Sequence, residues 1–340
     1  MRAFFQYIAC FIILIAASYW FVPWYYGMAY PKPAGPIFHP AFRTIYEQGV
    51  DKAQPDIVVL GDSLASTNID SNLLSTTLEK KIYDISISGS PSALWYLVIK
   101  NNILLSRHKP AYLIIIFRDT MLTTPDYRVQ GSYFEQISEF ANNDDQLLIQ
   151  LAFVNKMSWA EKLADQYLPP YGSSLSFRAS IDGTLRNIAP RLLMKCKSNC
   201  VNGALNNVFQ KNGFLSKVLD DEINAANDYL YTPQNLDFQN QVNQSFLPEI
   251  IRMCKENNIQ LILIRSKTRD FLPQSPYAAS LNTYISQLSA YAMQNNVIFL
   301  DFTQDNRVTS DFYMDPIHFN KNGQEKFTVI LANELSPYIH

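Results

Sequence analysis

Three residues stand in a pattern that could make and break acyl bonds. Ser63 follows the run Ile57-Val58-Val59-Leu60-Gly61-Asp62. Its four apolar residues, three of them β-branched, predict a buried strand that Gly61-Asp62 ends. The apolar spacing from Leu64 onward (Ala65, Ile69, Leu73, Leu74) predicts a helix. A serine at a strand-to-helix turn exposes its hydroxyl beside backbone N–H donors, which suits a nucleophile. The same residues are also ordinary turn chemistry, with Ser63 as a helix N-cap. Near the other end, Asp315 and His318 are three apart in Asp315-Pro316-Ile317-His318-Phe319-Asn320. One short loop can aim both at a cleft, the aspartate holding the imidazole in one tautomer while the imidazole takes the serine proton. An unactivated serine is a poor nucleophile, so such a base is required. His39, in a proline-rich stretch, His108, before Lys109-Pro110, and the terminal His340 have no carboxylate partner in a motif.

These side chains need a frame. Short apolar runs recur at 81–87, 111–117, 259–264 and 297–302, and the intervening 91–105 reads as helical. Strand–helix alternation with continuously apolar strands predicts a parallel sheet wrapped on both faces. Ligands of such sheets bind at the carboxyl ends of the strands. Ser63, Gly89, Arg118 and the loop before His318 all fall at such ends. Between Thr120 and Asn243 the alternation stops, although helical stretches are expected over Leu147–Ala164, Ile181–Met194 and Phe214–Ala226. This stretch reads as an insertion that caps the site or docks a partner. Cys196 and Cys200, spaced Cys-x-x-x-Cys without a second ligand pair, suit a local disulfide better than zinc. Cys254, in a helical pattern, reads as a buried thiol.

Gly61-Asp62-Ser63-Leu64 and Asp315-Pro316-Ile317-His318 together resemble the first and last sequence blocks of the SGNH (GDSL-type) esterase and acyltransferase superfamily. The resemblance implies an α/β chain with a flavodoxin-like three-layer α/β/α parallel sheet. It implies Ser63 as nucleophile, His318 as base and Asp315 as its orienting acid. The family takes its oxyanion donors from the serine N–H, a second-block Gly, which Gly89 matches, and an Asn in Gly-x-Asn-Asp. Here the third block reads Ile116-Phe117-Arg118-Asp119-Thr120. Asp119 can stand for the Asp, but Arg118 holds the Asn position and the Gly is absent. Arg118 could donate to an oxyanion, grip a substrate anion, or pair with an acid. With the N-terminal span described next, the chain resembles extracytoplasmic members of the superfamily that work beside membrane-bound O-acyltransferases on cell-wall polymers and exopolysaccharides.

Residues 3–22 are almost continuously apolar, and no charge separates Arg2 from Lys32. About 20 such residues span a bilayer. Trp20, Trp24, Tyr25 and Tyr26 supply an interfacial aromatic belt. A cleaved signal peptide is the alternative, with Ala16-Ala17-Ser18 as its small residues. Cys10 lacks the surroundings of a lipidation site. The Pro-rich 30–36 reads as a stiff spacer holding the domain off the membrane. The organisation expected is an anchor over 1–26, a linker and domain entry over 27–55, and the SGNH-like domain over 56–340 with the insertion at about 120–243. A net charge of −2 argues against a nucleic-acid partner.

The expected function is a single-pass, extracytoplasmic (periplasmic) serine esterase or O-acyltransferase. It would act on acyl groups of a glycan or lipid-linked glycan, beside a membrane-bound O-acyltransferase and without metal or organic cofactor. The other reading is a catalytically silent SGNH-fold binding or assembly partner of a membrane-bound O-acyltransferase, which uses the cleft to hold a glycan or membrane partner.

Overall fold

The computed structural model describes residues 2–38, 43–179, 214–269 and 278–340. The five apolar runs form the strands β1 (Ile57–Gly61), β2 (Ile82–Ser86), β3 (Tyr112–Phe117), β4 (Gln260–Arg265) and β5 (Ile298–Asp301). They make one all-parallel sheet in the order β2-β1-β3-β4-β5. Ile57, Val59, Ile114, Ile116, Ile262 and Ile264 share one face. That face packs on Leu64 and Leu74 of the two helices after β1 and on Phe327, Leu331 and Leu335 of the C-terminal helix Lys321–Leu335. Val58, Leu60, Leu113, Ile115, Leu261 and Leu263 point to the other face and are equally buried. Both faces are therefore covered, as in a three-layer α/β/α flavodoxin-like fold.

The chain leaves β1 for β2 on one side and reaches β3 on the other. The β1/β3 boundary is thus the topological switch point, where such sheets form a crevice. The register places Gly61 beside Ser86 and Ile116, Phe117 beside Arg265, and Arg265 beside Asp301, so the carboxyl ends lie level. Ser63 and Arg118 follow the two strands that flank the switch point.

Contacts divide the chain into two units, residues 1–42 with 129–204 and residues 43–128 with 205–340. The sheet unit thus retains 120–128 and 214–243, which the sequence assigns to the insertion. In the first unit the helix Arg2–Tyr26 is largely exposed. Its stretch Ala3–Tyr25, with a mean hydropathy of 1.9, is long and apolar enough to cross a membrane, a test that signal sequences also pass. The proline-rich stretch after it is packed rather than solvated. Lys32 is buried, with Nζ 2.5 Å from Asp165 Oδ2, and the Lys32 N–H donates to the Gln166 carbonyl. Phe38 stacks on Phe134.

Several helices are shorter than their apolar spacing predicts, and polar capping explains two of the breaks. The helix after Ser63 ends at Asn68, and Asp70 starts a second one, Ser71–Leu78, by accepting from the N–H groups of Asn72 and Leu73. The expected helix over 147–164 breaks before Trp159–Tyr167, where Ser158 and Glu161 form a reciprocal capping box. The stretch 91–105 is an α-helix over Ser92–Val98 and a π turn over Ile99–Ile103. The helix Phe214–Leu230 runs one turn longer than expected. The expectations on His39, the helix Ile181–Met194, and Cys196 with Cys200 lie outside the described residues. Cys254 is a buried free thiol, which burial pushes up to about 12.

Candidate active site

At the end of β1, Asp62 takes the N-cap position, its carboxylate accepting from the Leu64 N–H at 2.9 Å. Ser63 is then the first helical residue, with its hydroxyl free of capping. Ser63 Oγ lies 2.8 Å from His318 Nε2. The other ring nitrogen, Nδ1, lies 2.8 Å from Asp315 Oδ2. Asp315 Oδ1 accepts from the N–H groups of Ile317, at 2.9 Å, and His318, at 2.8 Å. One carboxylate therefore folds the loop with one oxygen and orients the imidazole with the other. Burial pushes the Asp315 carboxyl up, but the bonds from the His318 ring and the two N–H groups outweigh it and hold it below its usual range. All three side chains are partly exposed, as a substrate-facing set must be.

The loop carrying His318 is a short hairpin closed by a Tyr313–Phe319 bridge and the Met314 N–H on the His318 carbonyl. Asn320 caps the helix Lys321–Leu335 through the Gly323 N–H. A Cβ on Gly323 would come within 2.2 Å of the Phe312 carbonyl oxygen, so only glycine lets this helix approach the hairpin.

Asn68 joins the serine side to the histidine side. It is fully buried on the helix that Ser63 begins. Its Oδ1 accepts from the Phe319 N–H at 3.1 Å, and its Nδ2 donates to Ser266 Oγ at 2.9 Å and to the Ile317 carbonyl at 3.5 Å. Sequence reasoning missed it. Its only signal was a polar residue between Ala65 and Ile69 on the face that the apolar spacing buries.

Gly89 lies in the turn after β2 with φ +72°, a conformation that favours glycine. The turn is held to the serine strand by the Ile87 N–H, 3.0 Å from the Gly61 carbonyl, and by Ser90 Oγ, 3.2 Å from that carbonyl. Trp95 Nε1 donates to Ser90 Oγ. Gly89 is not hydrogen-bonded to the Ser63, His318 or Asp315 side chain. Neither is Arg118, which is buried with Nη1 2.7 Å from Asn227 Oδ1 and 3.8 Å from Asp119 Oδ2. Burial works against its charge, but Asp119, Tyr127, Tyr231 and Asp62 outweigh it and hold the guanidinium protonated. Asp62 is itself pushed up by burial, opposed by the Leu64 N–H and by the charges of Arg118, Arg128 and His318.

Asp119 takes a left-handed backbone, φ +50°, and accepts from Tyr231 at 2.7 Å and from Arg265 at 3.2 Å. Arg265 also reaches Asp301 at 3.1 Å and Thr303 at 3.0 Å. Arg265 thus ties together the ends of β3, β4 and β5. It ends an apolar strand just as Arg118 follows one. Among the described residues, no group of three His, Cys, Asp or Glu side chains could hold a metal ion.

A family model described as "protein of unknown function (DUF1574)" matches residues 126–335, which include Asp315 and His318 but not Ser63. No curated protein matches the chain. Solved structures similar to it include a GDSL-like lipase from Bacteroides thetaiotaomicron, at 11% identity and a TM-score of 0.38, covering 83% of this chain and 87% of that one. Another is a putative acylhydrolase from Bacteroides fragilis, at 10% identity and a TM-score of 0.41, covering 87% and 96%. A third is a catalytic mutant of an acetylxylan esterase from Geobacillus stearothermophilus, at 11% identity and a TM-score of 0.37, covering 82% and 93%.

Proposed function

The chain belongs to the DUF1574 family of proteins of unknown function, and we propose that it is an SGNH-type serine esterase or O-acyltransferase. Its substrate in this proposal is an ester-linked acyl group, such as acetyl, on a cell-envelope glycan. The observation that carries the reading is the continuous line from Ser63 Oγ through His318 to Asp315 at the carboxyl edge of a parallel sheet. The apolar helix Ala3–Tyr25, long enough to cross a membrane, supports a membrane anchor, and in this proposal the sheet unit lies outside the cytoplasm.

The chemistry follows from the donors and acceptors. Ser63 Oγ attacks the ester carbonyl carbon as its proton passes to His318 Nε2. The carbonyl π pair moves to oxygen, and the Ser63 and Gly89 N–H groups receive the oxyanion. One such donor contributes about 10²–10³ in rate. Asp315 stays ionised and stabilises the imidazolium. Collapse breaks the bond to the glycan oxygen, which takes the proton from His318 and leaves an acyl-Ser63. Water completes hydrolysis, or a second hydroxyl completes transfer, with His318 again as base.

The test is turnover of an acetylated glycan or an activated acetyl ester by the full chain in detergent, with a fluorophosphonate as active-site probe. The wild type should turn over and take the probe, and Ser63→Ala should do neither. Equal labelling of both, or no turnover and no labelling of the wild type, contradicts the proposal. Phosphatase and fluorescent-protein fusions after Pro36 read the topology. A fluorescent, phosphatase-negative fusion would put the site in the cytoplasm and remove the envelope glycan as substrate.

A further inference from the structure

The helix Trp159–Tyr167 is inside out for a helix in water. Its buried side chain is the charged Asp165, which accepts from Lys32 Nζ at 2.5 Å and from the Gly35 N–H at 2.7 Å. Trp159, Leu163 and Tyr167, spaced by four and so on one face, are 76%, 46% and 52% exposed. Leu168 and Tyr171 prolong the apolar surface. A water-facing helix normally turns the opposite face outward. Contiguous exposed apolar surface of this kind marks an interaction site.

The same compact unit contains the apolar N-terminal helix, and specific contacts set the position of this surface along it. The Tyr19 hydroxyl donates to the Tyr167 carbonyl, and the Tyr30 hydroxyl donates to the Pro169 carbonyl at 3.3 Å. The short helix Pro169–Gly172 packs directly on the N-terminal helix. The contacts therefore span the level of Tyr19 to Tyr30, which holds the exposed aromatics Trp20, Trp24 and Tyr25. Tyr19 lies six residues before Tyr25, or about 9 Å along an α-helix, so the contact reaches down into the belt. Aromatic side chains at this depth belong to the head-group layer.

We infer that Trp159–Tyr167 and the turn after it lie in the interfacial layer of the membrane, with Trp159, Leu163 and Tyr167 against lipid. This rests on the N-terminal helix being an anchor that remains on the protein. Given that anchor, the apolar face has a defined occupant. It meets the acyl-chain boundary, as interfacial amphipathic helices do, while Asp165 stays on the protein side bound to Lys32. The anchor and this helix then give the first unit two points of attachment, which sets its orientation on the bilayer as well as its tether.

The chain has four tryptophans, and Trp95 is fully buried in the sheet unit. This makes contact quenching by phosphatidylcholine with brominated acyl chains a direct readout on full-length protein in vesicles. In Trp20→Phe/Trp24→Phe protein, Trp159 should lose the larger part of its emission in brominated vesicles. Adding Trp159→Phe should abolish that loss. If the first variant is unquenched while Trp159→Phe protein is still quenched through Trp20 and Trp24, the anchor is in lipid and the helix is in water. That result overturns the inference and leaves the anchor standing. An unquenched wild type removes the anchor itself, and the inference with it.

Discussion

Asp315→Asn separates orientation of the histidine from folding of its loop, because the two Asp315 oxygens do different work. Oδ1 holds the Ile317 and His318 N–H groups, and Oδ2 faces His318 Nδ1 at 2.8 Å. In the asparagine variant the carbonyl oxygen keeps both backbone bonds, so the amide NH₂ must face Nδ1. A donor there forces Nδ1 to accept and puts the ring proton on Nε2, where it cannot take the serine proton. Loss of a charge-assisted hydrogen bond alone is worth about 1.5–3 kcal/mol, or roughly 10–10² in rate. The wrong tautomer raises the expected fall in kcat to about 10⁴-fold, with KM little changed. Asp315→Ala also strips the acceptor from two N–H groups, each costing about 1–3 kcal/mol if left unsatisfied, so it should lower Tm more than Asp315→Asn. The carboxyl is held below its ordinary value in the folded chain. Its contribution to stability is therefore complete above the unfolded value near about 4 and is lost as pH falls through the lower folded value. The Tm gap between wild type and Asp315→Asn should close over that acidic window. Hydrolysis of p-nitrophenyl acetate with thermal melts of the same samples measures all of this. An Asp315→Asn protein that keeps more than about a tenth of wild-type kcat refutes the tautomer argument.

Asn68→Ala leaves the Phe319 N–H, next to His318, without its partner, so kcat should fall with KM held. A change in Tm alone would make Asn68 purely structural. Arg118→Ala should lower kcat by about 10² if the guanidinium serves the reacting oxygen, and Arg118→Lys should rescue poorly because the planar fork is lost. A rise in KM alone would assign it to a substrate anion, and unchanged constants with a lower Tm to its bond with Asn227. Lys32→Met strands Asp165 and should cost about 3–5 kcal/mol, most of it recovered by Lys32→Met/Asp165→Leu. A single variant as stable as the double would show that the pair carries no such penalty.

The five strands were legible because buried parallel strands read as unbroken apolar runs, so the strand ends that precede Ser63, Gly89 and Arg118 could be placed from the sequence. Asp315 and His318 were legible because their partnership is local, three residues on one loop. What could not be read depends on contacts between distant segments. Asn68 bonds to a loop some 250 residues away, and nothing in its own neighbourhood predicts that acceptor and donor pattern. Arg265 gains Asp119 and Asp301 only through the strand order. The proline-rich stretch around Lys32 reads as a spacer by composition, yet the partner that buries it, Asp165, comes from a helix whose start signal lay inside a longer apolar pattern.

The central claim is that Ser63 becomes acylated. Full-length protein mixed with an activated acetyl ester and quenched in acid within one turnover should carry one added acetyl mass on the peptide containing Ser63. Ser63→Ala should carry none, and His318→Ala should acquire the label far more slowly. An acetyl group found equally on wild type and Ser63→Ala, or mapped to another residue while turnover proceeds, would contradict the account.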